Sequence, residues 1–401
     1  MSIAKRLVFS VVANTTRAII SFATGMIVAR SLGPEQYGVF SFLLASFAAM
    51  MSLLDMGSSS AFFTFISKRI RSQKFFMYYA YWLLLQFSIF VIIILVITPD
   101  AWLHIIWQGE SKELIIIAFI SVFFQHQVWG MIVKIGESQR LTIRVQIIAV
   151  LIASVHFSLI ILLLWKERLS IDLIYYLIIF EYIVATIVAR LALPIEFSDE
   201  KTVFNQSLRE YWVFCKPIIP YAWLGLILGF ADTWLLQRFG GAIEQAYYAV
   251  AVQITGISLI FTSSVIRVLW KEVAEANESN NKERIAYIYK RISRILFMLG
   301  ASITGFILPW TEEIILLLLG DEYIEGALVM SLMMLYPIHQ SLGQINGSMY
   351  YALELTIPYV LINMAIMSIS IIAIYFILAP VGANIPGLGL GSVGLGLKMV
   401  V

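Results

Sequence analysis

The sequence predicts an all-α, polytopic membrane protein of about 12 transmembrane helices, on three observations. Twelve long apolar stretches, separated by short polar gaps, fill most of the 401 residues. Hydrophobic residues make up 60% of the chain and charged ones only 13%, with a mean hydropathy of +0.88; a soluble domain carries roughly 25% charged residues. The third observation is the placement of the 27 Lys and Arg. With the N-terminus in the cytoplasm and the gaps assigned to alternate sides, 20 fall in inner segments, 5 in outer segments, and Arg17 and Lys398 lie within spans. Such a bias over short loops sets orientation. One span missed would scramble it.

The spans are 7–29, 38–66, 75–98, 114–133, 143–165, 171–193, 215–236, 246–268, 292–310, 326–349, 357–379 and 385–401. A helix needs roughly 20 residues to cross the hydrocarbon layer, and lipid offers the backbone no hydrogen-bond partner, so each is expected to be helical. Barrel strands would alternate in polarity over about 10 residues; these runs do not.

In chain order, Lys5 and Arg6 precede span 1, which is read as a retained helix because Arg17 interrupts its apolar core. Gly33-Pro34 marks a tight outer turn, since Pro34 cannot continue a helix. Asp55 lies deep in span 2, before Gly57 and a run of three serines. Trp102 and Trp107 in the 99–113 outer loop suit an interfacial aromatic belt. Span 4 carries Gln125-His126-Gln127, span 5 His156, and span 6 Glu181 beside Tyr182. A charged inner segment, 194–212, then divides the spans six and six. The lone Cys215 excludes an internal disulfide framework and reads as a small buried residue. Asp232 lies deep in span 7 and Arg267 near the inner end of span 8. The 271–291 segment mixes charges in a helical pattern at the cytoplasmic surface. Span 12 is Gly-rich and ends while still apolar, so the expectation is a second half cut short.

The halves carry a weak repeat. Arg30-Ser-Leu-Gly-Pro-Glu-Gln-Tyr-Gly follows span 1, and Arg238-Phe-Gly-Gly-Ala-Ile-Glu-Gln-Ala-Tyr follows span 7. Six spans separate the copies, which implies parallel repeats about an axis along the membrane normal.

Several of these motifs occur together in one family. Ala29 to Gly38 after span 1, Leu54-Asp55-Met56-Gly57, Lys216-Pro217 through Asp232 to Tyr247-Tyr248, and Gly320-Asp321-Glu322-Tyr323 followed by Ala327 resemble Wzx-type O-antigen and polysaccharide flippases. These belong to the multidrug/oligosaccharidyl-lipid/polysaccharide exporter superfamily. The resemblance implies two six-helix lobes around a central cavity, here 1–193 and 213–401, joined by a cytoplasmic linker at 194–212. It implies a flippase in the bacterial cytoplasmic (inner) membrane, moving an undecaprenyl-diphosphate-linked oligosaccharide beside other polysaccharide assembly proteins. In that family cationic cavity residues anchor the substrate.

Ionisable residues inside spans are costly, so each is a candidate site. Arg17, with Asn14, Thr15 and Thr16 alongside, is read either as a permanently charged fork suited to a diphosphate or as a structural pair with an acidic residue such as Asp55 or Asp232; Arg267 is read either as lining the cavity mouth or as snorkelling to the headgroups. Asp55, Asp232 and Glu181 are read as coupling-ion sites or helix-pairing groups. His126, His156 and His339 can hydrogen-bond sugar hydroxyls or tie helices together, and helix ties are the favoured reading. The four His lack metal-binding spacing, and no nucleophile elbow or Walker loop occurs, so no catalytic residue, metal or cofactor is expected. A net charge of +2 gives no electrostatic case for nucleic acid. The alternative function is a small-molecule or multidrug cation antiporter of the same superfamily. A glycan polymerase or ligase would need a large outer loop, which the spacing does not leave.

Overall fold

The computed structural model describes residues 3–199, 204–279, 281–353 and 355–400; of 3–8, 257–271, 274, 351, 352 and 356 it describes the backbone alone. The described residues form helices and no strand. Among the described residues, eight helical stretches are long and apolar enough to cross a membrane. Two of them, Phe9–Asp55 at 47 residues and Ile219–Gly256 at 38, are each two helices joined at a single glycine whose backbone is not helical.

Those two glycines make the repeat physical. Gly33 has φ 71°, ψ 169°, and Gly241 has φ 79°, ψ −175°. A side chain resists positive φ and glycine does not. Pro34 follows the first break, at a helix start, where a missing N–H costs nothing. The same backbone break thus recurs at matching points of the two sequence repeats.

The chain clusters into two units. One comprises residues 1–24 and 40–234. Its helices include Ser58–Lys68, Gln73–Ile92, Lys112–Phe123, Trp129–Ser138, Thr142–Trp165, Ile171–Ala192 and Phe204–Cys215. Its core is aromatic: Phe62 stacks on Tyr79 at 4.1 Å and Phe90 on Phe119 at 4.2 Å, and Tyr175 donates to the Phe40 carbonyl at 2.9 Å. Trp107, expected in an interfacial belt, is instead buried, stacked on Phe47 at 5.7 Å; Trp102 is the exposed one.

The other unit comprises residues 25–39 and 235–401. Here Gly38 lies so close to the Ala242 carbonyl that a Cβ would overlap it, so the two repeat turns pack backbone to backbone. Tyr323 donates to the Ala29 carbonyl at 2.8 Å, and Tyr37 to Gln253 Oε1 at 3.0 Å. The 271–291 segment is a helical hairpin: one helix ends at Glu278, and the next, Lys282–Ile307, is capped by the Asn281 side chain. Among the described residues of span 12, only Gly391–Val400 is helical. The residues before it run as coil around Pro386, with Gly387 too close to the Phe376 and Ala379 carbonyls for any Cβ. Glu244 Oε2 accepts from the Ser392 amide at 2.6 Å, closing that helix's first turn.

Both units expose large apolar side chains in rows, among them Leu84, Ile92, Val188, Ile366 and Ile369. An exposed surface of that kind is stable only against hydrocarbon, which agrees with the spans read from hydropathy.

Candidate functional site

The first unit gathers polar groups at mid-span. Arg17 and its neighbours Asn14, Thr15 and Thr16 are all exposed. A guanidinium halfway along a membrane-spanning helix must meet water, an anion or a carboxylate. Arg17 lies within electrostatic reach of the Tyr182 hydroxyl. That hydroxyl accepts from Gln125 Nε2 at 3.3 Å.

Gln125 owes its position to a local change of helix. The 112–138 helix runs as a π-helix over Phe124–Val128. The wider turn shifts the register of Gln125, His126 and Gln127, and such turns recur at functional sites. Gln127 donates to the Met51 carbonyl at 3.2 Å, while His126 is exposed.

Next to Tyr182, Glu181 points the other way. Its side chain is 4% exposed, and Oε2 lies 2.8 Å from His156 Nδ1 on the Thr142–Trp165 helix. Its Oε1 is also buried, with no hydrogen-bond partner among the described residues. The expected helix tie at His156 therefore exists, and it is made to a carboxyl group.

Asp55 is engaged differently. The chain breaks at Met56 and Gly57, both at positive φ, and a new helix starts at Ser58. Asp55 Oδ1 accepts from the Ser59 amide at 2.9 Å, and Oδ2 from the Ser59 hydroxyl at 3.0 Å. A carboxylate at a helix N-terminus satisfies orphan amides there. Lys134 is within electrostatic reach. Beside Asp55 opens an apolar cavity of about 320 Å³, lined by Tyr78, Tyr79, Trp82, Tyr211, Trp212 and Cys215 among others. Asp232 is half-buried and has an interaction partner. The Arg267 side chain lies outside the described residues. Among the described residues no group of His, Cys, Asp and Glu could hold a metal ion.

The structure thus brings together Arg17, Gln125, Tyr182, Glu181 and His156, and leaves Asp55 in a separate cluster. Sequence reasoning missed the pairing of His156 with Glu181. The available signal was an acid and an imidazole at similar depth in consecutive spans.

A family model described as polysaccharide biosynthesis protein matches residues 3–270. The chain belongs to this family. No curated protein matches it in sequence. Among solved structures, this family member is similar to an inward-facing multidrug resistance MATE family transporter of the MOP superfamily, with a TM-score of 0.70 at 16% identity over 96% of this chain and 90% of that one. It is similar to the lipid II flippase MurJ in an inward closed conformation, with a TM-score of 0.69 at 14% identity over 98% and 84%. A MOP superfamily transporter from Pyrococcus furiosus gives 0.53 at 15% identity over 98% and 90%. At such identities the likeness is one of fold, and the fold is that of polytopic MOP transporters. These are transporters and a flippase rather than enzymes.

Proposed function

We propose that this protein flips an undecaprenyl-diphosphate-linked oligosaccharide, an O-antigen or other surface polysaccharide unit, across the bacterial inner membrane, with the N-terminus cytoplasmic. The observation that carries the reading is Arg17: an exposed, permanently charged fork at mid-span, flanked by Asn14, Thr15 and Thr16 and by the Tyr182–Gln125 pair. A diphosphate is too costly to move through hydrocarbon unaided. A guanidinium binds it bidentately without changing protonation state, and amide and hydroxyl groups around it suit a sugar. The membership of the polysaccharide biosynthesis family supports a glycan cargo, and likeness to a lipid II flippase supports a lipid-linked one.

The test is transport by Arg17 variants that insert normally. Arg17→Ala should lose flipping of a defined undecaprenyl-diphosphate-linked glycan in vesicles. Arg17→Lys should recover only part, because an ammonium lacks the planar fork. Normal flipping by Arg17→Ala would place the diphosphate elsewhere. The second reading, a cation antiporter, is favoured by buried Glu181; it predicts that Arg17→Ala leaves drug efflux intact and Glu181→Gln abolishes it.

A further inference from the structure

We propose that the aromatic cavity beside Asp55 binds a lipophilic organic amine, as its ammonium ion, taken from the bilayer. This goes beyond the flippase reading and does not rest on it. The cavity shares no residue with the Arg17 cluster, and its ligand is a cation where the proposed cargo is an anion.

The walls are in place without a ligand. Tyr78, Tyr79 and Trp82 come from the Gln73–Ile92 helix, and Tyr211 and Trp212 from the amphipathic helix Phe204–Cys215. Tyr78 and Trp82 are one turn apart, and Phe204, Leu208 and Trp212 recur every fourth residue, so each helix turns one stripe to the cavity. Tyr79 lies nearly parallel to Tyr211, with ring centres 6.4 Å apart, and Tyr78 meets Phe204 edge-on at 5.1 Å. Trp82 Nε1 donates to Ser58 Oγ at 3.1 Å, and Ser58 Oγ donates to Asp55 Oδ1 at 3.3 Å. The indole is thereby tied to the carboxylate.

The lining decides the ligand's charge. The faces of Tyr and Trp attract a cation, most strongly where water is excluded. Asp55 supplies the opposite charge. Its Oδ1 accepts from the Ser59 amide and the Ser58 hydroxyl; among the described residues Oδ2 accepts from the Ser59 hydroxyl alone and keeps a lone pair. Lys134 is within electrostatic reach of Asp55 but is not a lining side chain. A hydrocarbon chain in the cavity would desolvate the carboxylate and return nothing.

The route of entry follows from exposure. Leu85, Phe204, Leu208 and Trp212 all line the cavity and are all exposed. Apolar surface of that kind faces hydrocarbon, so the cavity opens to the bilayer. An aminophospholipid could bring an ammonium the same way. Its phosphate would then have to follow into a cavity whose charged lining group is a carboxylate, at a high desolvation cost. A free amine with an apolar body carries no such group.

Calorimetry on the full chain in a neutral maltoside detergent tests this, with 2-phenylethylamine as the probe and 2-phenylethanol as its neutral isostere. The amine should bind saturably and about tenfold more tightly than the alcohol. Asp55→Asn keeps a capping oxygen for the Ser59 amide; it should lose about tenfold of the amine affinity and none of the alcohol's. Trp212→Leu keeps apolar contact without the ring face, and should lose about fivefold for the amine alone. Added phosphatidylethanolamine should leave the amine affinity unchanged. Absence of saturable amine binding, equal binding of amine and alcohol, or full amine affinity in Asp55→Asn would overturn the proposal. Competition by phosphatidylethanolamine would overturn it in favour of a lipid headgroup.

Discussion

Glu110 sits half-buried just before the helix that starts at Lys112, and burial pushes its carboxyl above the usual carboxylate range. A folded-state pKa above the unfolded one means that its contribution is fullest when the group is protonated in both states and is lost as pH rises through the folded value. Glu110→Gln should therefore raise the Tm at neutral pH, and the gain should vanish below about pH 4, where both states are protonated. Thermal unfolding in detergent at the two pH values checks it; an equal gain at both would mean that the charge is not the cause. Arg17 and Glu181 were legible as single residues because a charge inside an apolar run stands out. Partners were less so. His156 looked like any polar residue in a span, and nothing local marked its bond to a helix further on. Nor did any residue pattern announce the π-turn that positions Gln125.

At the scale of elements, Arg71 was legible only as one of many basic residues. It proves to be buried, bonded to Glu210 at 3.0 Å, with its guanidinium 4.8 Å from the centre of the Phe75 ring. This ties the turn before the Gln73–Ile92 helix to the amphipathic helix Phe204–Cys215. Removing one partner of such a pair costs on the order of 3 kcal/mol, so Arg71→Ala should lower the denaturation midpoint measurably. Arg71→Lys should recover less than full stability, since an ammonium cannot reproduce the stacked fork. A loss no larger than for exposed Arg69→Ala would show the contact to be incidental. The break after span 1 was readable from Gly33-Pro34, because proline and glycine act through backbone geometry alone. Span 12 was readable as apolar but not as half coil: hydropathy does not register that Gly387 must approach two carbonyls closely.

For the whole molecule, hydropathy sufficed to give an all-helical membrane protein, and the exposed apolar rows agree with it. Orientation rests on the 20-to-5 distribution of basic residues. It predicts that a single cysteine at the exposed Ser279, in a Cys215→Ser background, is labelled by an impermeant thiol reagent only from the cytoplasmic side. Labelling from outside intact cells would invert the topology. The cargo was the least legible feature, since sugar recognition uses Gln, Asn and aromatic residues that also tie helices together. The most direct measurement is therefore reconstitution of the wild-type protein in vesicles carrying an undecaprenyl-diphosphate-linked oligosaccharide in the leaflet facing the protein's cytoplasmic side. Glycan exposed on the opposite leaflet is read with an impermeant oxidant. Movement well above that of protein-free vesicles is the expected result. Movement no faster than in protein-free vesicles, from protein that still exports a small organic cation, would contradict it.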